Sequence, residues 1–161
     1  MADPRSMPLI TLELARFLEG PNSIIVATQD GQRMPECARG LLLRCQGDDV
    51  TLWLPSAVSA RTEANLAADP RIAVAAELPS AHLTRQLKGV VTRVLTAPES
   101  RRSLVEEGFE AFVQQCGSVG LPRRVLERVI RWPATEIHLR VNAVFDQTPG
   151  PGAGEPLRSP S

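Results

Sequence analysis

Apolar residues recur along this chain with two different periods, and the switches between them mark out its elements. In TLELARFLEG, residues 11–20, Leu14, Phe17 and Leu18 share one side of a short helix that Thr11 caps and Gly20 stops. SIIVAT, residues 23–28, is apolar at successive positions and rich in β-branched residues, the pattern of a strand covered on both faces. Asp30 and Gly31 then supply a hairpin turn into a long strand from Arg33 to Cys45, with Gly40 placed to bend it. A second turn at Gly47, Asp48 and Asp49 leads into TLWLP. The pattern next predicts a helix starting near Ser59 and ended by Asp69-Pro70, after which RIAVAAE returns to strand with small, close-packing alanines.

The longest strand signal is residues 83–97. Gln86, Lys88 and Val90 fall on one face and Leu87, Gly89 and Val91 on the other, and Gly89 admits close approach of a flat ligand or another chain. Thr96-Ala-Pro-Glu99 has the form of a capping box, opening a helix whose Val105, Phe109, Phe112 and Cys116 share a side. Leu121-Pro122 begins a short helix through Ile130, which Pro133 closes. In the last strand Ile137, Leu139, Val141, Ala143 and Phe145 point inward, while Glu136, His138, Arg140 and Asn142 point outward. Residues 1–10 read as a loose arm, 11–146 as one domain, and 147–161 as a Pro/Gly-rich tail, extended or disordered. The fold class is mainly β, a small barrel of six strands with flanking helices.

Composition narrows the partners. The 18 basic and 18 acidic residues cancel and the pI is 6.7, so no electrostatic footprint for nucleic acid exists. Aromatics are 4% with no tyrosine, too few for a base-stacking platform. No apolar run reaches the 18 or so residues of a membrane span, and MADPRSMPLI lacks a signal-peptide core, so a cytoplasmic protein is expected. Cys37, Cys45 and Cys116 form no C-x-x-C pair; Cys37 and Cys45 read as small buried hydrophobes rather than nucleophiles. His82 and His138 lack metal-ligand spacing, so no metal site is expected. Nucleotide-loop, nucleophile-elbow and zinc-protease motifs are absent.

The residues that remain chemically distinctive are arginines near a helix start. A helix beginning at Ser59 places Arg61 and Thr62 in its first turn, where free N–H groups and the helix dipole favour an anion. Arg39 and Arg44 on the preceding strand offer planar forks suited to phosphate. The competing reading of Arg39 and Arg61 is a surface ion pair worth about 0–1 kcal/mol.

ARGLLLR at 38–44, ARTEANLAADPRIAVA at 60–75, RQLKGVV at 85–91 and VFDQTPGPGAG at 144–154, in this order, resemble the pyridoxamine 5′-phosphate oxidase-like split barrels. Within that family the bacterial FMN-binding members of uncharacterised substrate are the nearest pattern, over Thr11 to Leu157. The resemblance implies a six-stranded antiparallel Greek-key split barrel that works as a homodimer, with FMN in a groove between the subunits. It matches Arg39 to the arginine of the family's S-R-x-V-L-L-K strand, in which Leu41 also lies, and Arg44 to that strand's lysine. Arg61 matches the first member of the family's helix-opening Arg-Lys pair, and Thr62 stands in place of the second. Ser56, Gln86 and Lys88 complete the implied cofactor set, Lys88 as a donor beside the ring or a partner in a dimer ion pair. The C-terminal Trp and Arg with which the oxidases read pyridoxamine phosphate have no counterpart. The expected function is therefore FMN binding by an oxidoreductase that takes electrons from a small substrate or a nicotinamide donor. The alternatives are a non-catalytic carrier of flavin, haem or a related cofactor, and a cofactor-free dimer module.

Overall fold

The structure is a computed structural model and describes residues 7–157. In chain order the elements are α1 (Leu12–Leu18), β1 (Ser23–Gln29), β2 (Pro35–Gly40), β3 (Leu42–Gln46), β4 (Asp49–Pro55), α2 (Ser56–Ala68) and β5 (Arg71–Leu78). They continue with β6 (Leu83–Thr96), α3 (Arg102–Ser118), α4 (Arg123–Leu126) and β7 (Ala134–Asp146). The strands form one antiparallel sheet in the order β2-β1-β5-β6-β7-β4-β3. Its two edge strands are separated in sequence by Leu41 alone. A flat seven-stranded sheet would hold its edges about 29 Å apart, whereas one intervening residue spans no more than about 7 Å. The sheet must therefore curl until its edges meet at Leu41, whose N–H extends the β3–β4 ladder by donating to Trp53 O at 2.8 Å.

Seven strands replace the expected six because the long segment from Arg33 to Cys45 breaks at Leu41. Gly40 explains the break: a Cβ there would lie 2.5 Å from Ile24 Cγ2 and 3.1 Å from Leu52 Cδ1. The barrel interior is filled by Ile24, Val26, Leu43, Leu52, Val74, Leu87, Ile137 and Leu139. A second cluster lies outside β3 and β4, where α3 covers Leu42 and Trp53 with Val105, Phe109, Phe112 and Cys116, the predicted stripe.

Several local expectations are corrected by tertiary contacts. Thr96 ends β6 instead of capping a helix, and a short 3-10 turn, Glu99–Arg101, follows Pro98 without a side-chain cap. The segment after Pro122 is helical only over Arg123–Leu126. In β7 the alternation holds through Val141 and then shifts, because Lys88 pairs with Ala143 but Gly89 with Val141. Asn142 is the extra residue of this bulge, so Val144 turns inward in place of Ala143 and Phe145. Gly89 does permit a close approach, but by the same chain: a Cβ there would collide with Arg140 O.

Residues 7–10 of the arm and 147–157 of the tail are described, and both lie against the barrel; residues 158–161 of the tail lie outside the described residues. Residues 1–6 lie outside the described residues, while Ile10 enters the core and its N–H donates to Asp48 Oδ1 at 2.9 Å. Far from lacking packed structure, residues 147–157 fold back along β7. Asp146 N–H donates to Glu155 O, Gly154 N–H to Asp146 O and Leu157 N–H to Val144 O, and Leu157 packs on the core. Arg85 ties the strap down, donating to Asp146 Oδ1 at 2.7 Å and Thr148 Oγ1 at 2.8 Å. Hydrogen bonds from the Thr148 side chain and N–H, helped by the Arg85 charge, hold the Asp146 carboxyl below its ordinary range. Folding lowers this group's proton affinity, so its contribution is complete above about pH 4 and is lost as pH falls through the lowered value. In an acid titration followed by NMR, the Gly154 and Leu157 amides are expected to move together with Asp146. Asp146→Asn should abolish that common transition.

Candidate functional site

The strand registers place two rows of side chains on the outer face of β2, β1, β5, β6 and β7. One runs Arg39, Ile25, Ala75, Gln86, Phe145; the next runs Cys37, Ala27, Ala73, Lys88, Ala143. Neighbouring residues in each strand point into the barrel, so these ten share the opposite surface. Four of them are alanines. The result is a shallow floor about 19 Å wide across four strand spacings, with Arg39 at one end and Gln86, Lys88 and Phe145 at the other. Ile25 remains 36% exposed, so SIIVAT, read as covered on both faces, is open on this one in the single chain.

Each end of the floor is fixed by its neighbours. Arg39 Nη1 donates to Ser23 Oγ at 3.2 Å, and its guanidinium lies 5.8 Å from the Phe112 ring centre, at the rim of α3. Lys88 Nζ sits 4.9 Å from the Phe145 ring centre. Gln147 Nε2 donates to Gln86 Oε1 at 3.3 Å, so the folded-back tail borders this end.

The other predicted site residues do not join this face. Helix α2 starts at Ser56, one turn earlier than expected, because Ser59 is packed inside and does not cap. Arg61 and Thr62 therefore fall in the second turn. Arg61 is 65% exposed, with Nε 3.8 Å from Glu36 Oε2, and Thr62 is buried. Glu36 and Arg39 have opposite parity on β2, so Arg39 and Arg61 serve opposite faces of that strand and do not converge. Ser56 N–H donates to Pro133 O at 2.9 Å. Leu41 is buried under α3, closed off from a ligand. Arg44 donates to Leu43 O at 3.0 Å and lines a separate cleft of about 250 Å³ with Glu19, Leu104 and Glu107.

Two networks were invisible in the sequence pattern. Glu136, expected outward, is buried, since α3 covers the outer face where β4 and β7 pair. Its Oε2 accepts from Trp53 Nε1 at 2.9 Å and its Oε1 lies 2.8 Å from His138 Nε2. The second network joins Ser56, Ser59, Glu63 and Thr135 at the start of α2. The trace that both leave in sequence is a polar residue beside an apolar strand run, which is too common to single them out.

The thiols are divided differently from expectation. Cys37 is exposed on the alanine floor, contrary to its reading as buried. Burial, reinforced by the Glu19 charge, pushes the Cys45 thiol up to about 12, and burial also raises Cys116. Neither is a nucleophile at neutral pH. His82 lies in an exposed turn with Nδ1 3.5 Å from Glu77 Oε1. Among the described residues no three His, Cys, Asp or Glu side chains gather as a metal site, and no helix is long and apolar enough to cross a membrane.

A curled antiparallel sheet whose edges meet, with helices over one side and a small-residue face left open on the other, defines the split-barrel class. Residues 10–140 match the pyridoxamine 5′-phosphate oxidase family, and the chain belongs to it. Solved structures with the same fold include an F420 reductase, 15% identical over 80% of this chain and 93% of its own, with a TM-score of 0.56. HupZ of Group A Streptococcus is 19% identical over 90% and 99%, with a TM-score of 0.54. An FMN-binding protein from Syntrophomonas wolfei is 16% identical over 86% and 85%, with a TM-score of 0.52. At these identities the likeness is one of fold. Among curated protein sequences nothing matches this chain.

Proposed function

We propose that this protein binds a flavin of the FMN type against the alanine floor, between two copies of the chain, and serves as a flavin-dependent oxidoreductase for a small substrate or nicotinamide donor. The observation that carries this reading is the pair of rows across β2, β1, β5, β6 and β7: a flat ring needs a floor without projecting side chains, and four of the ten positions are alanine. Family membership and the FMN-binding relative of the same fold support the choice of ligand. The floor fits the ring; the start of α2 does not fit the phosphate, since Arg61 is turned to Glu36 and Thr62 is buried.

When bound, a flavin supplies hydride acceptance and one- or two-electron transfer. The chain's own part is to bind and orient. Gln86 and Lys88 lie where the polar edge of the ring would rest, and the Lys88 charge favours an anionic edge. Arg39, at the far end, offers a bidentate fork for the phosphate. A second subunit closing over Ile25 would exclude water from the floor.

Absorbance of the purified protein and its behaviour on size exclusion test this reading directly. Flavin bands on a dimer are expected. A Soret band would assign the floor to haem, and a dimer that takes up no added FMN would leave the cofactor-free module. Arg39→Ala is expected to weaken FMN about tenfold more than riboflavin, the cost of one charge-assisted contact. Equal losses for both ligands would show that Arg39 does not hold the phosphate.

A further inference from the structure

The start of α2 carries an anion of the chain's own, Glu63 of the second turn, whose carboxylate reaches back to Ser59 in the first. Its leading N–H groups have no partner within the helix, and the Ser56 N–H is taken by Pro133 O. Ser59 and Thr135, 2% and 4% exposed, direct their hydroxyls at one carboxylate oxygen. Ser59 Oγ lies 2.5 Å and Thr135 Oγ1 3.0 Å from Glu63 Oε1. Ser59 Oγ and Thr135 Oγ1 are themselves 2.8 Å apart, and Ser56 Oγ extends the chain to Thr135 at 3.2 Å. Each hydroxyl carries one proton, so the Ser59–Thr135–Glu63 triangle engages both buried donors of this corner within the chain.

We infer that Glu63 is an internal substitute for a bound phosphate, so that the start of α2 reads no phosphate group and any phosphate preference of this protein resides at Arg39. This rests on the flavin reading for its second half only. Three observations agree. An incoming phosphate would meet a like charge at Glu63, which is half-buried and so less screened than a surface carboxylate. Thr62, 1% exposed, offers no cation. Arg61, the one arginine of the helix, pairs with Glu36 on β2. Glu63 thus acts as a specificity-determining residue by exclusion, favouring ligands recognised through their ring over ligands anchored by a phosphate at this helix.

The first test needs no flavin. In the full chain, labelled with ¹⁵N and titrated with inorganic phosphate at constant ionic strength, the amides of residues 56–60 are expected to stay unmoved. In Glu63→Gln, which keeps the shape and removes the charge, the same amides should shift saturably, with at least tenfold tighter apparent binding. Wild-type amides that titrate as readily as those of Glu63→Gln would overturn the inference. Should Glu63→Gln fail to fold, Arg61→Ala decides: an FMN-to-riboflavin affinity ratio within about twofold of wild type supports the inference, and a tenfold drop overturns it. Failure of any flavin to bind counts against the proposed function, while the phosphate titration still judges Glu63.

Discussion

Glu136→Ala is expected to destabilise the fold by about 3 kcal/mol, which for a chain of this size lowers the thermal midpoint by about 9 °C. The cost has two sources. Trp53 Nε1–H donates to Glu136 Oε2 from a position that is 2% exposed beneath α3, so removing the carboxylate strands a buried donor. The truncation also leaves a void on β7 beside Trp53, where the Glu136 side chain was 4% exposed. His138 is partly exposed and finds water, so its share is small. Glu136→Gln retains an acceptor for Trp53 and should cost about 1 kcal/mol. In the double variant Trp53→Phe, Glu136→Ala the orphaned donor is gone, and the loss should fall short of the two single losses added together. Urea unfolding followed by circular dichroism measures the wild type, the three single variants including Trp53→Phe, and the double variant. A loss below about 0.5 kcal/mol for Glu136→Ala would mean that the Trp53 N–H is satisfied without its partner.

That network marks the boundary of what the chain's pattern discloses. Periodicity was sufficient for α1 with its Thr11 cap, for the stripe of α3 and for the alternation of β6, because each depends on neighbours within a few residues. It failed for Glu136, because burial there depends on a helix contributed by residues 102–118 lying over a strand pair, a contact with no local signature. The start of α2 shows a different failure. Ser59 has the chemistry of a cap, but Thr135 and Glu63 compete for its hydroxyl, and the helix begins three residues earlier at Ser56. That shift of one turn moved Arg61 and Thr62 out of the anion-binding position, while the opposite parity of Glu36 and Arg39 on β2 separates Arg39 from Arg61. The ligand face, in contrast, was half visible. SIIVAT was apolar on both sides and RIAVAAE was full of alanine, and the register aligns those residues with Gln86 and Lys88. What sequence withheld was the pairing order, which places β5 between β1 and β6 and makes one surface of three separate signals.

Ala73→Arg is expected to abolish flavin binding, by at least about a hundredfold or roughly 2.7 kcal/mol, while the chain stays folded. Ala73 occupies the middle of the second row, between Ala27 and Lys88, on the centre strand of the floor. Its inward neighbours Ile72 and Val74 carry the core, so a larger outward side chain leaves barrel packing untouched. Above the floor the consequence is different, because an arginine there fills the space a planar ring would need. It also sets a second cation next to Lys88, which works against close approach of another copy of the same face. The variant should accordingly run as a monomer on size exclusion and show wild-type circular dichroism. Val125→Arg, on the exposed side of α4, is the control and should change neither property. Ala73→Arg that binds FMN with wild-type affinity would exclude the alanine floor as the ligand site. Loss of flavin together with a retained dimer would separate the two roles, leaving the floor to the ligand and assigning subunit contact to another surface.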